Sequence, residues 1–289
     1  MLLPDTIVQI TQLLKEADHI LIGAGAGLSA DAGLDYTDTE IFAALFPGLA
    51  KKGYRHFYDM FRIIGDPNWS EAEKWGYLAN QVNYVRFRPN RHPVYLRLLD
   101  LVKNKDYFVI TTNADDMFFR NGFDSQKIYT PQGSYSRLQC LKPCWRETWP
   151  SQPIIERILP VVNPETHTIT APDTIPTCPN CGGPVFMNVR GGNWFIDDPD
   201  EDQKNRYVEW VQMTMASRLL ILEFGVGFNT PVVVRWPLEQ IAHSHPNSNL
   251  VRVNPQYPEV PEEISQYSFS LQNGAREVID TLWKAAKVE

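Results

Sequence analysis

A chain of 289 residues, 43% hydrophobic and 12% aromatic, has enough apolar material for one large core, or for a large domain carrying a smaller one. Its formal net charge of -7 argues against nonspecific binding to nucleic acid or anionic lipid, and no apolar stretch approaches membrane-spanning length. The start carries Asp5, Glu16 and Asp18 and no basic region, so it reads as a first amphipathic helix rather than a secretory leader. Ile7, Ile10, Leu13 and Leu14 supply its apolar face. Ile20 to Ile22 is then a short apolar run of the buried-strand kind. Gly23, Gly25 and Gly27 follow it, and a small-residue helix start runs from Ser29 to Leu34. Glycines here let backbone approach a phosphate at a helix N-terminus, although an ordinary strand-to-helix turn reads the same residues and the strict G-x-G-x-x-G pattern is not met.

Tyr36 to Ile64 is aromatic and broken by Pro47-Gly48 and Gly53, as expected of short helices and loops covering the glycine turn. Ser70 to Phe87 is a better helix, with Ser70 as cap and Glu71 and Glu73 in its first turn. Asn90 to Lys103 is another helix, and Tyr107 to Thr111 is a continuous apolar strand. The segment from Gln132 to about Asp198 has little periodicity, many prolines and all four cysteines, and needs a staple to hold it. Beyond it come a helix (Gln203 to Ala216), a buried strand (Leu219 to Phe224) and a helix opening on Pro231. A strand (Leu250 to Val253) and a closing helix (Gly274 to Lys287) complete the chain. Strands alternating with helices predict a doubly wound parallel sheet whose strand-end turns meet a ligand.

Three strand ends carry polar or glycine-rich turns: Gly25-Ala26-Gly27, Thr112-Asn113-Ala114-Asp115-Asp116, and Gly225-Val226-Gly227 with Asn254 beyond the next strand. A polar cap by Asn113 or Asp115 is an equally good reading of the second turn by itself. Cys140-x3-Cys144 and Cys178-x2-Cys181 have the spacing of a closed four-thiolate zinc site. Such clustering suits a reducing cytoplasm better than a disulfide framework.

In this order the motifs resemble those of the sirtuins over nearly the whole chain. GAGLSADAGLDY from Gly25, PNRHPVYLRLL, TTNADDMF, Gly133 with the cysteine pairs, GVGFNTP and VNP each match a family signature. The resemblance implies a Rossmann-like NAD-binding domain (1–36, 88–133 and 200–289), a helical cover (37–87) and a small inserted zinc-binding module (134–199). It also implies NAD contacts from Gly25, Ala26, Gly27, Ala30, Asp31, Tyr36, Thr112, Asn113, Ala114, Asp115, Gln132, Gly225, Val226, Gly227 and Asn254. Cys140, Cys144, Cys178 and Cys181 would hold structural zinc.

Departures from the pattern are informative. Gln132 stands where the family has its catalytic histidine, Asp35-Tyr36-Thr37 loses the family's arginine, and Thr112 replaces a glutamine. These changes resemble the macrodomain-linked, or class M, sirtuins, which are similar to protein ADP-ribosyltransferases. In that subgroup the residues required for transfer fall at Asn113, Asp115 and Gln132. Deacylation needs a base for a ribose hydroxyl, and glutamine cannot take up that proton near neutral pH. Cleavage of the nicotinamide–ribose bond asks instead for a held ring and a placed nucleophile, which Asp115 and Asn113 can serve. Of the six histidines only His56, in the cover, is placed to be a substitute base.

The expectation is a cytoplasmic, monomeric, NAD-dependent ADP-ribosyltransferase acting on a protein. The subgroup resemblance points to a lipoylated carrier of the glycine-cleavage H type and a functional link to a macrodomain hydrolase. A weak deacylase or NAD glycohydrolase, and a non-catalytic NAD or ADP-ribose sensor, are the alternatives.

Overall fold

A computed structural model describes residues 4–88 and 91–288. Its strands are β1 (His19–Ala24), β2 (Asp106–Thr111), β3 (Ile128–Tyr129), β4 (Gly133–Cys140), β5 (Trp149–Pro150), β6 (Val185–Val189), β7 (Leu219–Phe224), β8 (Ser248–Val253) and β9 (Ser268–Leu271). Six of them form one parallel sheet in the order β3-β2-β1-β7-β8-β9, and β5-β4-β6 form a separate antiparallel sheet. β1 lies centrally, paired with β2 on one side and β7 on the other. The strand order reverses there, so the turns after β1 and β7 face each other across the crevice where open parallel sheets take ligands.

Central strands of such a sheet are covered on both faces, and their side chains divide accordingly. Ile20, Ile22 and Ala24 join the core beneath the helices Pro4–Glu16, Pro93–Val102 and Ala275–Val288, whereas Leu21 joins the opposite core, with Tyr207, Trp210 and Leu238. The expected elements on this sheet are present, with shifted ends. The helix expected to open on Pro231 begins at Arg235, because residues 231–234 make turns that set Val234 and Leu238 against Gly23. β9 was not expected; its sequence, SFSL, is too short and too polar to show a strand pattern. The Pro89-Asn90 start of the helix motif lies outside the described residues.

A third core is shared. Phe42, Phe46, Phe57, Trp75 and Val82 of the cover pack in the same cluster as Leu138, Ile155, Phe186 and Met187 of the cysteine-bearing region. Cover and zinc module are therefore one packing unit, which explains how a segment with little apolar periodicity stays folded. The helix Glu71–Val82 carries much of this core and starts on a reciprocal cap, with Glu73 N–H donating to Ser70 Oγ and Ser70 N–H to Glu73 Oε2. Its last turn widens into a π-helix, Asn83–Phe87.

Beneath the turn after β7, Glu223 and Arg252 form a fully buried bidentate pair at 2.7 and 2.9 Å, and Glu239 and Arg235 extend the network. Arg235 and Arg252 donate to the carbonyls of Val226, Tyr257 and Glu259, so the network also ties the loops after β7 and β8 together. Burial pushes the Glu223 carboxyl upward against the pull of Arg252. Arg252→Met leaves that carboxyl buried without its partner, and denaturant unfolding is expected to show a loss of about 3–5 kcal/mol. Adding Glu223→Gln to Arg252→Met should recover part of the loss by removing the stranded charge; no recovery would mean that an unpaired Glu223 is not what Arg252→Met costs.

Candidate active site

The site is built where three strand ends touch. Gly25 N–H donates to Phe224 O at 3.0 Å, Gly27 N–H to Gly225 O at 3.1 Å, and Thr112 N–H to Ala24 O at 3.1 Å. A Cβ on Gly25 would stand 2.6 Å from Gly225 O, and one on Gly225, where φ is +61°, would stand 2.5 Å from Gly27 Cα. Only glycine allows the two turns to meet at this distance, so the glycines act first as the joint between turns. Asn113 then fastens the third turn, its Nδ2 donating to Gly25 O at 2.9 Å and to Ser29 Oγ at 3.0 Å.

Ser29 is the centre of a small polar network. Its hydroxyl donates to Asp115 Oδ2 at 2.6 Å, accepts from Asn113, and lies 3.3 Å from the Tyr95 hydroxyl. Asp115 also accepts from Met117 N–H at 3.0 Å and is 1% exposed; burial pushes its carboxyl up, against those two hydrogen bonds. Tyr36 is buried, stacked on Tyr58 at 5.5 Å, and its hydroxyl has no partner. Burial and the nearby Asp115 hold that hydroxyl protonated well above the ordinary phenol range. Ser29 and Tyr95 were not singled out from the sequence, although Ser29 lies inside the GAGLS motif and Tyr95 inside the PNRHPVYLRLL stretch.

Gln132 immediately precedes β4 and is half-buried. Its backbone carbonyl accepts from Arg190 N–H at 2.9 Å, and its Oε1 is buried without a partner. On the far side of the crevice, Asn254 closes its own turn: Nδ2 donates to Val226 O, and Oδ1 accepts from the N–H groups of Gln256 and Tyr257. Ala114 O accepts from Tyr135 N–H. Ala30 and Asp31 lie on the short helix after Gly25; the Asp31 carboxylate accepts from Arg276 N–H at the start of the closing helix. Thr37 folds back onto Asp35, donating to Oδ1 from both N–H and hydroxyl.

Five of the six histidines have contacts of their own. His92 caps the helix Pro93–Val102, His19 pairs with Asp106 at 2.9 Å, and His245 meets Thr214 O at 2.9 Å. His167 packs on Phe46, and His56 sits 3.6 Å from the Asp59 carboxylate at its own turn.

The four cysteine sulphurs lie within 4.8 Å of one another, with Cys140–Cys181 at 3.7 Å and Cys144–Cys178 at 3.5 Å. Tetrahedral zinc with Zn–S near 2.3 Å requires sulphurs about 3.8 Å apart, so the set fits a closed structural zinc. Lys142 N–H and Asn180 Nδ2 point at the sulphurs of Cys140 and Cys144, as suits thiolates.

No protein-family model matches the chain. Over 247 residues it is 38% identical to a Fusarium oxysporum f. sp. cubense protein named "Probable bifunctional ADP-ribose hydrolase/ADP-ribosyltransferase", a match covering 83% of this chain and 41% of that relative. The chain thus spans about two fifths of that protein's length. A Staphylococcus aureus "Protein ADP-ribosyltransferase" is 30% identical over 273 residues, covering 93% of this chain and 84% of the relative. A solved Sir2 homologue in complex with NAD superposes with a TM-score of 0.60 at 17% identity, covering 97% of this chain and 94% of that one. The chain belongs to the sirtuin family. Its parallel sheet with a separate small antiparallel sheet and cysteine cluster is the sirtuin fold. Among the described residues of this sirtuin no helix is long and apolar enough to cross a membrane.

Removing one thiolate should unmake the zinc site without touching the crevice. Elemental analysis is expected to give about one zinc per chain, and Cys178→Ser should lower thermal stability before it changes NAD affinity. Stoichiometric zinc in the Cys140→Ser, Cys178→Ser double variant would show that the metal sits elsewhere.

Proposed function

We propose that this sirtuin transfers ADP-ribose from NAD to a protein acceptor, with Asn113, Asp115 and Gln132 at the reacting centre. The observation that carries the proposal is the pairing of an intact Ser29–Asn113–Asp115 network with Gln132, an amide that cannot act as a base, at the expected base position. The orphaned Gln132 Oε1 and Tyr36 hydroxyl are buried polar atoms that a bound ligand with hydroxyl and amide groups would satisfy, and NAD is such a ligand. Both high-coverage relatives bear names that include ADP-ribosyltransferase, which supports the same reading.

When bound, NAD would supply the ADP-ribosyl group: the acceptor's nucleophile would bond the ribose carbon as the ribose–nicotinamide bond breaks, the electron pair leaving on nicotinamide and the acceptor's proton passing to solvent water. On this reading Asp115 holds the carboxamide of the leaving ring. Asn113, fixed at Gly25 O, sets where the ribose sits relative to the glycine joint. Gln132 can accept from a ribose hydroxyl through Oε1 without removing its proton, which leaves attack to the acceptor. On this reading the joint between Gly25, Gly27 and Gly225 would lie beneath the dinucleotide, and Val226, Gly227 and Asn254 would border its adenosine side; the close approach of the two glycine turns supports this.

The acceptor we propose is a lipoylated carrier of the glycine-cleavage H type, within a cytoplasmic modification cycle that a macrodomain hydrolase reverses. The hydrolase activity in the name of the Fusarium relative supports such a reversal.

Transfer of labelled ADP-ribose to a lipoylated carrier, with NAD affinity followed separately, tests the assignment. Asn113→Ala is expected to cost about a hundredfold in rate by misplacing the reacting centre. Wild-type transfer by both Asn113→Ala and Gln132→Ala would refute it. Gln132→His should lose transfer yet release little acyl group from acyl-lysine peptides, because Thr37 still stands in place of the family's arginine. Robust deacylation by wild type would move the assignment to the deacylases.

A further inference from the structure

Asp116 follows Asp115, is 7% exposed, and has left-handed backbone with φ 56° and ψ 25°. A non-glycine residue pays strain in that region, and aspartate is among those that tolerate it best. Glycine would fit the backbone better, so the side chain is what the position uses. Both of its oxygens are engaged by other parts of the fold. Oδ2 accepts from Arg86 Nε at 2.8 Å, in the π-helical end of the cover, and Oδ1 accepts from Ser134 Oγ at 2.7 Å, two residues past Gln132.

β4 is irregular at this place. Its pairing with β6 shifts register between Ser134 and Leu138, which frees Tyr135, Ser136 and Arg137 from the ladder. Tyr135 N–H uses that freedom to donate to Ala114 O at 2.9 Å, and Arg137 makes a two-oxygen contact with Asp200 at 2.8 Å. Irregularities of this kind re-aim a strand next to a site. Ser134 is steadied in turn by Ser136, whose hydroxyl lies 2.7 Å away and whose N–H donates to Ser134 Oγ at 3.0 Å. The Arg120 guanidinium donates to Arg86 O from the short helix after Asp116. Three stretches far apart in sequence thus converge on one carboxylate: the Asn113–Asp115 turn, the strand that follows Gln132, and the end of the cover.

Resting on the transfer reading above, we infer that Asp116 is a positioning residue: by holding Ser134 and Arg86 together it sets the spacing between Gln132 and the Asn113–Asp115 turn. It touches neither NAD nor acceptor. Its removal should therefore act on turnover more than on NAD binding.

The test uses the full chain, with Asp116→Gly, which suits the φ, and with Ser134→Ala, Ser134→Thr and the double variant Asp116→Gly, Ser134→Ala. Zinc content and thermal midpoint serve as controls for folding. Nicotinamide release from NAD is measured beside acceptor labelling. Asp116→Gly is expected to lower kcat about a hundredfold, the cost of misplacing a reacting group by about 1 Å, while KM for NAD moves by less than about threefold. Ser134→Ala should lower kcat in the same sense and Ser134→Thr should restore it. The double variant should be no worse than Asp116→Gly alone, because both remove one interaction. Wild-type kcat in Asp116→Gly, or losses that add in the double variant, would overturn the inference. Should Asp116→Gly lose zinc or unfold, the contrast between Ser134→Ala and Ser134→Thr decides: equal kcat in the two overturns it. If wild type releases nicotinamide but labels no acceptor, the transfer reading fails, and Asp116 is still scored on nicotinamide release.

Discussion

Everything in the crevice depends on how closely the turn after β1 approaches the turn after β7. Gly27 N–H reaches Gly225 O, and neither Gly25 nor Gly225 has room for a Cβ. Because β1 is the central strand and the connection reverses beside it, this contact sits at the one place in the sheet where two turns diverge above adjacent strands. Gly25 O, oriented by the contact, is the acceptor that fixes Asn113, and Asn113 in turn shares Ser29 with Asp115. A methyl group at the joint would move all three. The glycines thus act by letting the two backbones meet.

A second constraint is electrostatic. Glu223 and Arg252 are both fully buried beneath the turn that meets Gly27. Such a pair costs desolvation on both partners and contributes little net stability against an apolar replacement. What it supplies here is geometry, since the two arginines of the network also hold the carbonyls of Val226, Tyr257 and Glu259. The loops after β7 and β8 are therefore fixed by charge, whereas the glycine turns are fixed by sterics.

The zinc module has a different relation to the sheet. Its antiparallel strands share their core with the cover, so a zinc held by the four cysteines would staple a unit whose hydrophobic cluster draws on residues from Leu34 to Val189. That unit meets the parallel sheet through polar contacts at the irregular stretch of β4, through Ser134, Tyr135 and Arg137. Apolar packing would define the unit's fold but leave its angle to the sheet loosely set. Directional hydrogen bonds at Asp116 and Asp200 add fixed geometry to that packing, and Gln132 immediately precedes the strand they hold.

The sequence by itself determined the parallel sheet's principal strands, the glycine turns, the Ser70 cap and the cysteine pairs, because each is written in residues close together along the chain. Apolar runs, small residues and paired thiols signal locally, without reference to distant partners. The resemblance to the sirtuins let Gln132 be read as standing at the base position, and an amide there reads as a loss of base chemistry from side-chain identity alone. The tertiary structure decided the rest. That β4 and β6 pair within a segment of little periodicity, that cover and module share a core, and that Ser29 and Tyr95 join Asp115 are matters of long-range contact. Asp116 is the clearest case. In sequence it is one acidic residue of a polar turn, and its partners lie 30 residues before it and 18 after. Only folding brings a guanidinium and a hydroxyl to the two oxygens of the same carboxylate, because the distance between them is set by three elements that no local pattern relates.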